Sequence, residues 1–379
     1  MDFKLTAEQE AIQLTVREFA RARIAPCAAG WEERIEFPRD AFREMAALGL
    51  AGLHCSPEHG GMGLDTLTAA VVYEELGKAY QGLSFVGIHN MVASLIEEYG
   101  TKEQKERWLR RLANGELLGA FANTEPNAGS DVLAIETTAS RTAHGYLING
   151  AKVFVTGGGE AEIYIVTAKT DRSRGRQGMS ALVVEKGAPG FTFGRVEKKM
   201  GLMAIPNREL IFQDCLAPSD HLLGHEGEGF DISMRSFDSS RIEVGAFAVG
   251  LAQAALEAAL DYSKRRTQFG RPIAEFQALR FMLADMATEI QAARLLVYHA
   301  AYLMDQRLSF TKDASMAKRF ATDVAMRVTT DAVQVFGAYG YLQDYVVERY
   351  MREAKALQIS EGTNQIQRII IARELLANA

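Results

Sequence analysis

An α+β protein in three units is what this sequence predicts: a helical N-terminal domain, a small middle β-domain of barrel-like or sandwich-like form, and a C-terminal helical bundle. Two observations carry that prediction. Apolar residues recur at helical spacing up to Asn114-Gly115 and again from about residue 231 onward. Between those limits the period shortens to that of strands. At 379 residues the chain exceeds what one core usually supports, so two or three packed units are expected. The boundaries are placed at 1–116, 117–230 and 231–379.

Thr6 and Gln9 form a candidate capping box, after which Ile12, Val16 and Phe19 repeat at helical spacing. A second helix runs from about Pro38 to Gly49. "SPEHGGMGLD" (Ser56 to Asp65) is a loop, because three glycines and a proline in ten residues cannot sustain a helix. Amphipathic helices follow over 66–78 and 83–99, and Thr101 with Gln104 caps another that stops at Asn114-Gly115. "HGYLINGAKVFVTGGG", "EIYIVTAK", "SALVVEK", "FTFGRV" and "RELIFQDCLAP" are strands, short, β-branched and separated by turns. Helices are then expected near 231–264, 273–306, 313–337, 345–357 and 363–377.

The composition, 48% hydrophobic and 24% charged, is that of an ordinary globular protein. A net charge of -6 argues against a nucleic-acid surface, which draws on clustered Lys and Arg. Cys27, Cys55 and Cys215 lie far apart and form no CxxC, so neither a disulfide framework nor a zinc knuckle is indicated and a reducing compartment fits. The N-terminal stretch shows neither a signal-peptide core nor transit-peptide character, and no apolar run reaches the roughly 18 residues of a membrane span. The expectation is a cytoplasmic protein.

The chain contains no GxGxxG, GxxxxGK[ST], HExxH or GxSxG, which removes support for a nicotinamide Rossmann enzyme, a P-loop NTPase, a zincin and a serine hydrolase. The seven histidines are scattered. His54 and His59 share a glycine-rich loop, but no carboxylate-rich set accompanies them, so no metal is expected. "FANTEPNAGSD" (Phe121 to Asp131), read alone, is a strand ending in a turn, with Thr124, Glu125, Ser130 and Asp131 dense in polar groups. Such a turn can hold a polar ring edge or a phosphate.

That stretch resembles the first signature of the acyl-CoA dehydrogenase family. "KVFVTGG" (Lys152 to Gly158), "RTQFGRPIAEFQ" (Arg266 to Gln277), "DAVQVFGAYGY" (Asp331 to Tyr341) and "SEGTNQIQR" (Ser360 to Arg368) resemble further family motifs in the same order. The resemblance spans essentially the whole chain and implies FAD-dependent α,β-desaturation of an acyl thioester, in which a base takes the Cα proton and the Cβ hydrogen leaves as hydride to flavin N5. Glu361 matches the base, and its backbone N–H matches an oxyanion donor; Gly362 lets the chain approach flavin and thioester closely. Some relatives carry the base just before the arginine of "FDSSR", where this chain has Ser240.

On the same footing, the resemblance implies flavin contacts for Phe121, Asn123, Thr124, Thr156, Thr363 and Gln365. Phe154 stands where tryptophan is usual against the ring, and Asn123 where an apolar residue is common. Ser130 matches a residue near the FAD pyrophosphate and the pantetheine. Arg266, Gln268, Phe269 and Gln277, with Gln334, Gly337 and Ala338, match the stretches that meet the FAD diphosphate and adenosine across a subunit interface. Asp238 and Arg241, three apart on one helix face, match a pair that contacts the acyl-CoA. Implied partners are an acyl-CoA, or an acyl group on a carrier protein, and an electron-transferring flavoprotein. The implied assembly is a homo-oligomer, either a dimer or a tetramer of two dimers. Ser360 and Ile205 depart from common family residues and leave the acyl group open, with a short or branched acyl-CoA expected first. The rival readings are a flavin-dependent oxygenase on the same scaffold, for which the carboxylate at 361 is superfluous, and a non-catalytic CoA-ester-binding protein, which predicts no flavin.

Overall fold

The computed structural model describes residues 4–377. Thr6 caps helix α1 (Ala7–Phe19): its hydroxyl accepts from the Gln9 N–H, while the Gln9 side chain takes the Thr6 N–H in return. The helix does not stop there. It continues through one π-helical stretch (Ala20–Ile24) into α2 (Ala25–Arg34). After α3 (Arg39–Ala47) and the glycine-rich loop, Asp65 caps α4 (Thr66–Ala79), and α5 (Ser84–Tyr99) follows. The Thr101 capping box opens α6 (Lys102–Gln104), which runs by a second π-helical stretch into α7 (Arg110–Ala113).

The middle segment forms strands β1 (Gly119–Ala122), β2 (Thr138–Thr142), β3 (Gly145–Thr156), β4 (Ile163–Lys169), β5 (Met179–Glu185), β6 (Phe191–Val196), β7 (Asn207–Pro218) and β8 (Leu222–Leu223). They make one eight-stranded sheet in the order β6-β7-β3-β2-β4-β5-β8, with β1 running parallel to β4. The β3–β7 pairing slips between Lys152 and Val155, a bulge that interrupts the ladder at Val153 and Phe154.

Helix α8 (Gly229–Arg265) then returns to the helical part. A short hairpin of β9 (Thr267–Gln268) and β10 (Arg271–Pro272) leads into α9 (Gln277–Asp305), α10 (Thr311–Phe336), α11 (Val346–Leu357) and α12 (Asn364–Ala377). Contrary to the sequence expectation, α8 is long and apolar enough by composition to cross a membrane, but 83% of its most apolar stretch is buried inside the protein. It is the axial helix of the core, packed on α4, α9 and α10.

Two glycines set how closely α4 and α8 approach. A Cβ on Gly250 would lie 2.0 Å from the Glu74 carbonyl oxygen, and one on Gly77 would lie 2.5 Å from that of Phe247. Neither backbone can yield without moving its helix. Gly250→Val therefore overpacks the crossing and is expected to destabilise by about 1–3 kcal/mol, read as a lowered midpoint of thermal unfolding; an unchanged midpoint would show that the helices separate freely.

Candidate active site

Glu361 lies in the short connection between α11 and α12. It and Gly362 both adopt left-handed backbone conformations, φ 52° and 83°. Left-handed φ is ordinary for glycine and strained for glutamate, so surrounding structure must hold it. Three groups do so. Lys318 of α10 donates Nζ to the Gly362 carbonyl (2.9 Å), and Gln367 of α12 donates Nε2 to the carbonyls of Glu361 (3.1 Å) and Gly362 (2.9 Å). Asn364, bound to Lys318 Nζ, Thr322 and Asp323, fixes the start of α12. The backbone N–H groups of Glu361 and Gly362 donate to no group among the described residues, which leaves them for a ligand oxygen.

The turn brings the Glu361 carboxylate to α8, where Ser240 Oγ donates to it at 2.8 Å. Burial raises the Glu361 pKa, while Ser240, Arg241 and Lys318 draw it back. Lys318 is fully buried and burial pulls it down to about 7, against the attraction of Glu361. Arg241 is buried too, and ion-pairs with Asp238, which also accepts from Thr311 Oγ1 at 2.6 Å. Burial lowers the arginine and raises the aspartate. Arg241 Nε has no partner among the described residues, so the guanidinium keeps a donor free.

A second group comes from the β-domain. The buried Lys152 bonds Glu125 (2.8 Å) and the Asn123 carbonyl (2.9 Å), while Glu125 collects the backbone N–H groups of Glu136 and Thr137. Burial lowers Lys152 to about 8. This anchor ties "FANTEP" to β3, and the Val153 N–H donates to the Thr124 carbonyl at 2.8 Å. Phe154, at the bulge, has φ 58° and is 62% exposed, while Asn207 bonds its carbonyl and the Thr156 hydroxyl. The arrangement presents Thr124, Phe154 and Thr156 beside one another, a surface suited to a flat heteroaromatic ring. Phe121 packs edge-on against Phe237 of α8 and joins this surface to the Glu361 side. The Asn123 side chain turns inward to Thr167 Oγ1 (2.8 Å), and Ser130 is exposed on the turn.

The remaining predicted residues form a third, outer group. Arg266 lies over Tyr339, 5.4 Å from its ring centroid, bringing the β9–β10 hairpin to the turn that carries Gln334, Gly337 and Ala338. Phe269 is 92% exposed, and Gln268, Gln277, Gln334, Gly337 and Ala338 are exposed with it. Gln365 is exposed, and Thr363 Oγ1 accepts the Ile366 N–H at the start of α12. Among the described residues none of Arg266, Gln268, Phe269, Gln277, Gln334, Gly337 and Ala338 bonds Glu361 or its partners, whereas Thr363, whose carbonyl accepts the Gln367 N–H at 3.0 Å, and Gln365 adjoin the Glu361 turn. Ser360 is exposed, and Ile205 lies in the core. No group of three or more His, Cys, Asp and Glu poised for a metal occurs among the described residues.

Lys318, Asn364, Gln367 and Glu243 were missed by sequence reasoning. Asn364 and Gln367 lie within "SEGTNQIQR", and their polar density at a helix start was a usable signal. Lys318 and Glu243 had none, since each reads as a solvated helix charge.

Comparison with known proteins gives three matches to family models: the N-terminal domain of acyl-CoA dehydrogenase over residues 6–116, the middle domain over 120–215 and the C-terminal domain over 227–376. A short-chain specific acyl-CoA dehydrogenase of Clostridium acetobutylicum is 45% identical, over 99% of this chain and 100% of its own. The structure of butyryl-CoA dehydrogenase from Megasphaera elsdenii superposes with a TM-score of 0.97 at 44% identity, covering 99% of this chain and 100% of that one. A structure described for the electron transferring flavoprotein of Acidaminococcus fermentans and flavin-based electron bifurcation matches at TM-score 0.98 and 49% identity, over 99% and 100% of the two chains.

The raised pKa of Glu361 has a consequence for stability. Between the ordinary carboxylate value, about 4.3, and its higher folded value, the folded state holds the proton more tightly than the unfolded one. Stability contributed by this group is therefore present below that window and lost as pH rises through it. Glu361→Gln removes the loss. Its thermal midpoint should exceed that of the native protein increasingly as pH rises above the ordinary carboxylate range; a constant or reversed difference would mean that Ser240, Arg241 and Lys318 outweigh burial.

Proposed function

The chain belongs to the acyl-CoA dehydrogenase family, and we propose that it desaturates a short or branched acyl-CoA with Glu361 as the base that removes the Cα proton. The observation that carries this assignment is the strained Glu361–Gly362 turn, which holds one half-buried carboxylate against Ser240 and beside Arg241. The protein is an FAD-dependent oxidoreductase that passes its electrons to an electron-transferring flavoprotein. When bound, FAD supplies the acceptor for the Cβ hydride. The residues present fit it: Thr124, Phe154 and Thr156 offer two hydroxyls and an exposed ring, with Phe121, Asn123, Thr363 and Gln365 supporting that side.

In the proposed reaction the free N–H of Glu361 donates to the thioester carbonyl, where negative charge grows as the Cα proton leaves. The carboxylate, raised by burial and still held ionised by Ser240, Arg241 and Lys318, takes that proton. Gly362 admits the thioester, Arg241 with Asp238 meets the CoA-bearing side, and Ser130 the pantetheine. Asn123 acts through the strand, its side chain being committed to Thr167.

Arg266, Gln268, Phe269, Gln277, Gln334, Gly337 and Ala338 are proposed to meet FAD held by a second copy of the chain. Their exposure, and their separation from Glu361, support that reading. A dimer is the smallest assembly that completes such a site, and a tetramer of two dimers is proposed. The division 1–116, 117–230 and 231–379 follows the change from helix to sheet and back. Three free cysteines and bacterial relatives support a cytoplasmic setting.

Glu361→Gln holoenzyme should keep its yellow FAD and bind butyryl-CoA, yet lose anaerobic flavin reduction by at least about 100-fold; reduction at the native rate would place the base elsewhere. Arg266→Ala should lower FAD occupancy in the assembled protein, and full occupancy in a verified monomer would refute the shared site.

A further inference from the structure

Glu243 lies one helical turn beyond Ser240 on α8, and the site described so far gives it no task. Its side chain is 8% exposed and makes no hydrogen bond or ion pair among the described residues. It is wedged between α8 and α5, since a Cβ on Gly87 would meet its Oε2 at 2.8 Å. A buried, unpartnered carboxyl is costly unless a ligand completes it.

The carboxyl faces a cavity of about 160 Å³, bounded also by Ser94, Ser236, Ser239 and His54. At roughly 30 Å³ for each water, that is space for about five water-sized groups. Leu95, Met304 and Phe310 give it apolar walls. It lies along the helix face that presents Ser240 to Glu361, and Glu243 is near enough to feel the Glu361 charge.

The polar groups around this cavity are mostly acceptors. Ser236 and Ser239 donate their protons back to the carbonyls of Ser233 (2.8 Å) and Ser236 (2.9 Å), which leaves oxygen lone pairs. His54 donates Nδ1 to the Leu64 carbonyl at 3.2 Å, so Nε2 carries a lone pair. Arg235, the one cation at the cavity, is paired with Glu98 at 2.7 Å and leaves no free positive charge for a carboxylated chain end.

We propose that this cavity receives the outer end of the acyl group and that Glu243 selects a short acyl thioester bearing a hydroxyl there over a plain alkyl chain. The inference rests on the acyl-CoA reading above and deepens it. A hydroxyl both donates and accepts, so it serves the serine and histidine lone pairs and the carboxyl of Glu243 together. Burial and the Glu361 charge hold Glu243 well above the usual carboxylate range, which favours the neutral form that can donate to the hydroxyl. A site built to bond a substrate hydroxyl discriminates strongly against the analogue lacking it, because its own buried groups are then left unpaired.

The test uses FAD-loaded enzyme and four- and five-carbon pairs: butyryl-CoA with 4-hydroxybutyryl-CoA, pentanoyl-CoA with 5-hydroxypentanoyl-CoA, and succinyl-CoA as the anionic arm. Anaerobic bleaching of the flavin band gives relative kcat/KM, and titration of the Glu361→Gln holoenzyme gives binding without chemistry. One hydroxylated ester should exceed its alkyl partner by about tenfold or more in both readouts. Glu243→Leu should reverse that preference, while Glu243→Gln, which can still donate and accept, should retain most of it. Alkyl esters that bleach the flavin as well as hydroxylated ones, or a preference for succinyl-CoA, would overturn the hydroxyl assignment and leave the desaturase reading intact. A yellow enzyme bleached by no ester would overturn both. The native ratio decides the matter even if Glu243→Leu fails to fold.

Discussion

The site depends on one unfavourable piece of backbone. Two consecutive left-handed residues, Glu361 and Gly362, turn the chain between α11 and α12 so that a carboxylate faces α8 instead of solvent. Strain of this kind costs on the order of 1–3 kcal/mol at a non-glycine residue and persists only where neighbours over-determine it. Lys318 and Gln367 do so by holding the two carbonyls that the turn leaves outside any helix. A buried lysine is an expensive clamp, and burial brings its pKa to about 7. It is tolerable because the same ammonium offsets part of the charge of Glu361. Geometry and electrostatics of the base thus share one residue.

The β-domain solves a parallel problem with a parallel device. Thr124 lies just past the end of β1 and Phe154 on β3, and the bulge in β3 leaves Phe154 with a positive φ and no ladder partner. The Lys152–Glu125 pair, almost wholly inaccessible, braces both strands from beneath. Removing either member would leave an uncompensated buried charge, the costly way to break such a pair. In both halves of the site a buried lysine satisfies carbonyls of an irregular segment.

Much of this was legible in the sequence because it depends on period and punctuation. The α4 and α5 stripes, the capping boxes at Thr6 and Thr101, and the β-branched runs of β3 to β5 are local signals that tertiary structure kept. Glu361 was visible through the resemblance of "SEGTNQIQR" to a family motif, in which it matches the base. The π-helical stretches were not legible, since residues 20–24 keep helical composition while the backbone widens by one residue per turn. Nor was the inward aim of Asn123, which depends on Thr167 being opposite it in space, 44 positions away. Lys318 and Glu243 escaped for a related reason: a charge on an amphipathic helix declares its burial only when the neighbouring helices are known.

The last point bears on how two carboxyls can coexist beside one ligand. Burial and then the charge of Glu361 raise Glu243, and burial raises Glu361 itself. Their surroundings break the tie. Ser240, Arg241 and Lys318 all favour the ionised form of Glu361, whereas no cation and no donor favours that of Glu243. The surroundings therefore bias the proton toward Glu243 and the negative charge toward Glu361. One carboxyl is left as an acceptor for a substrate proton, the other as a neutral group able to bond a substrate hydroxyl, and the division of labour follows from which helix carries the cations.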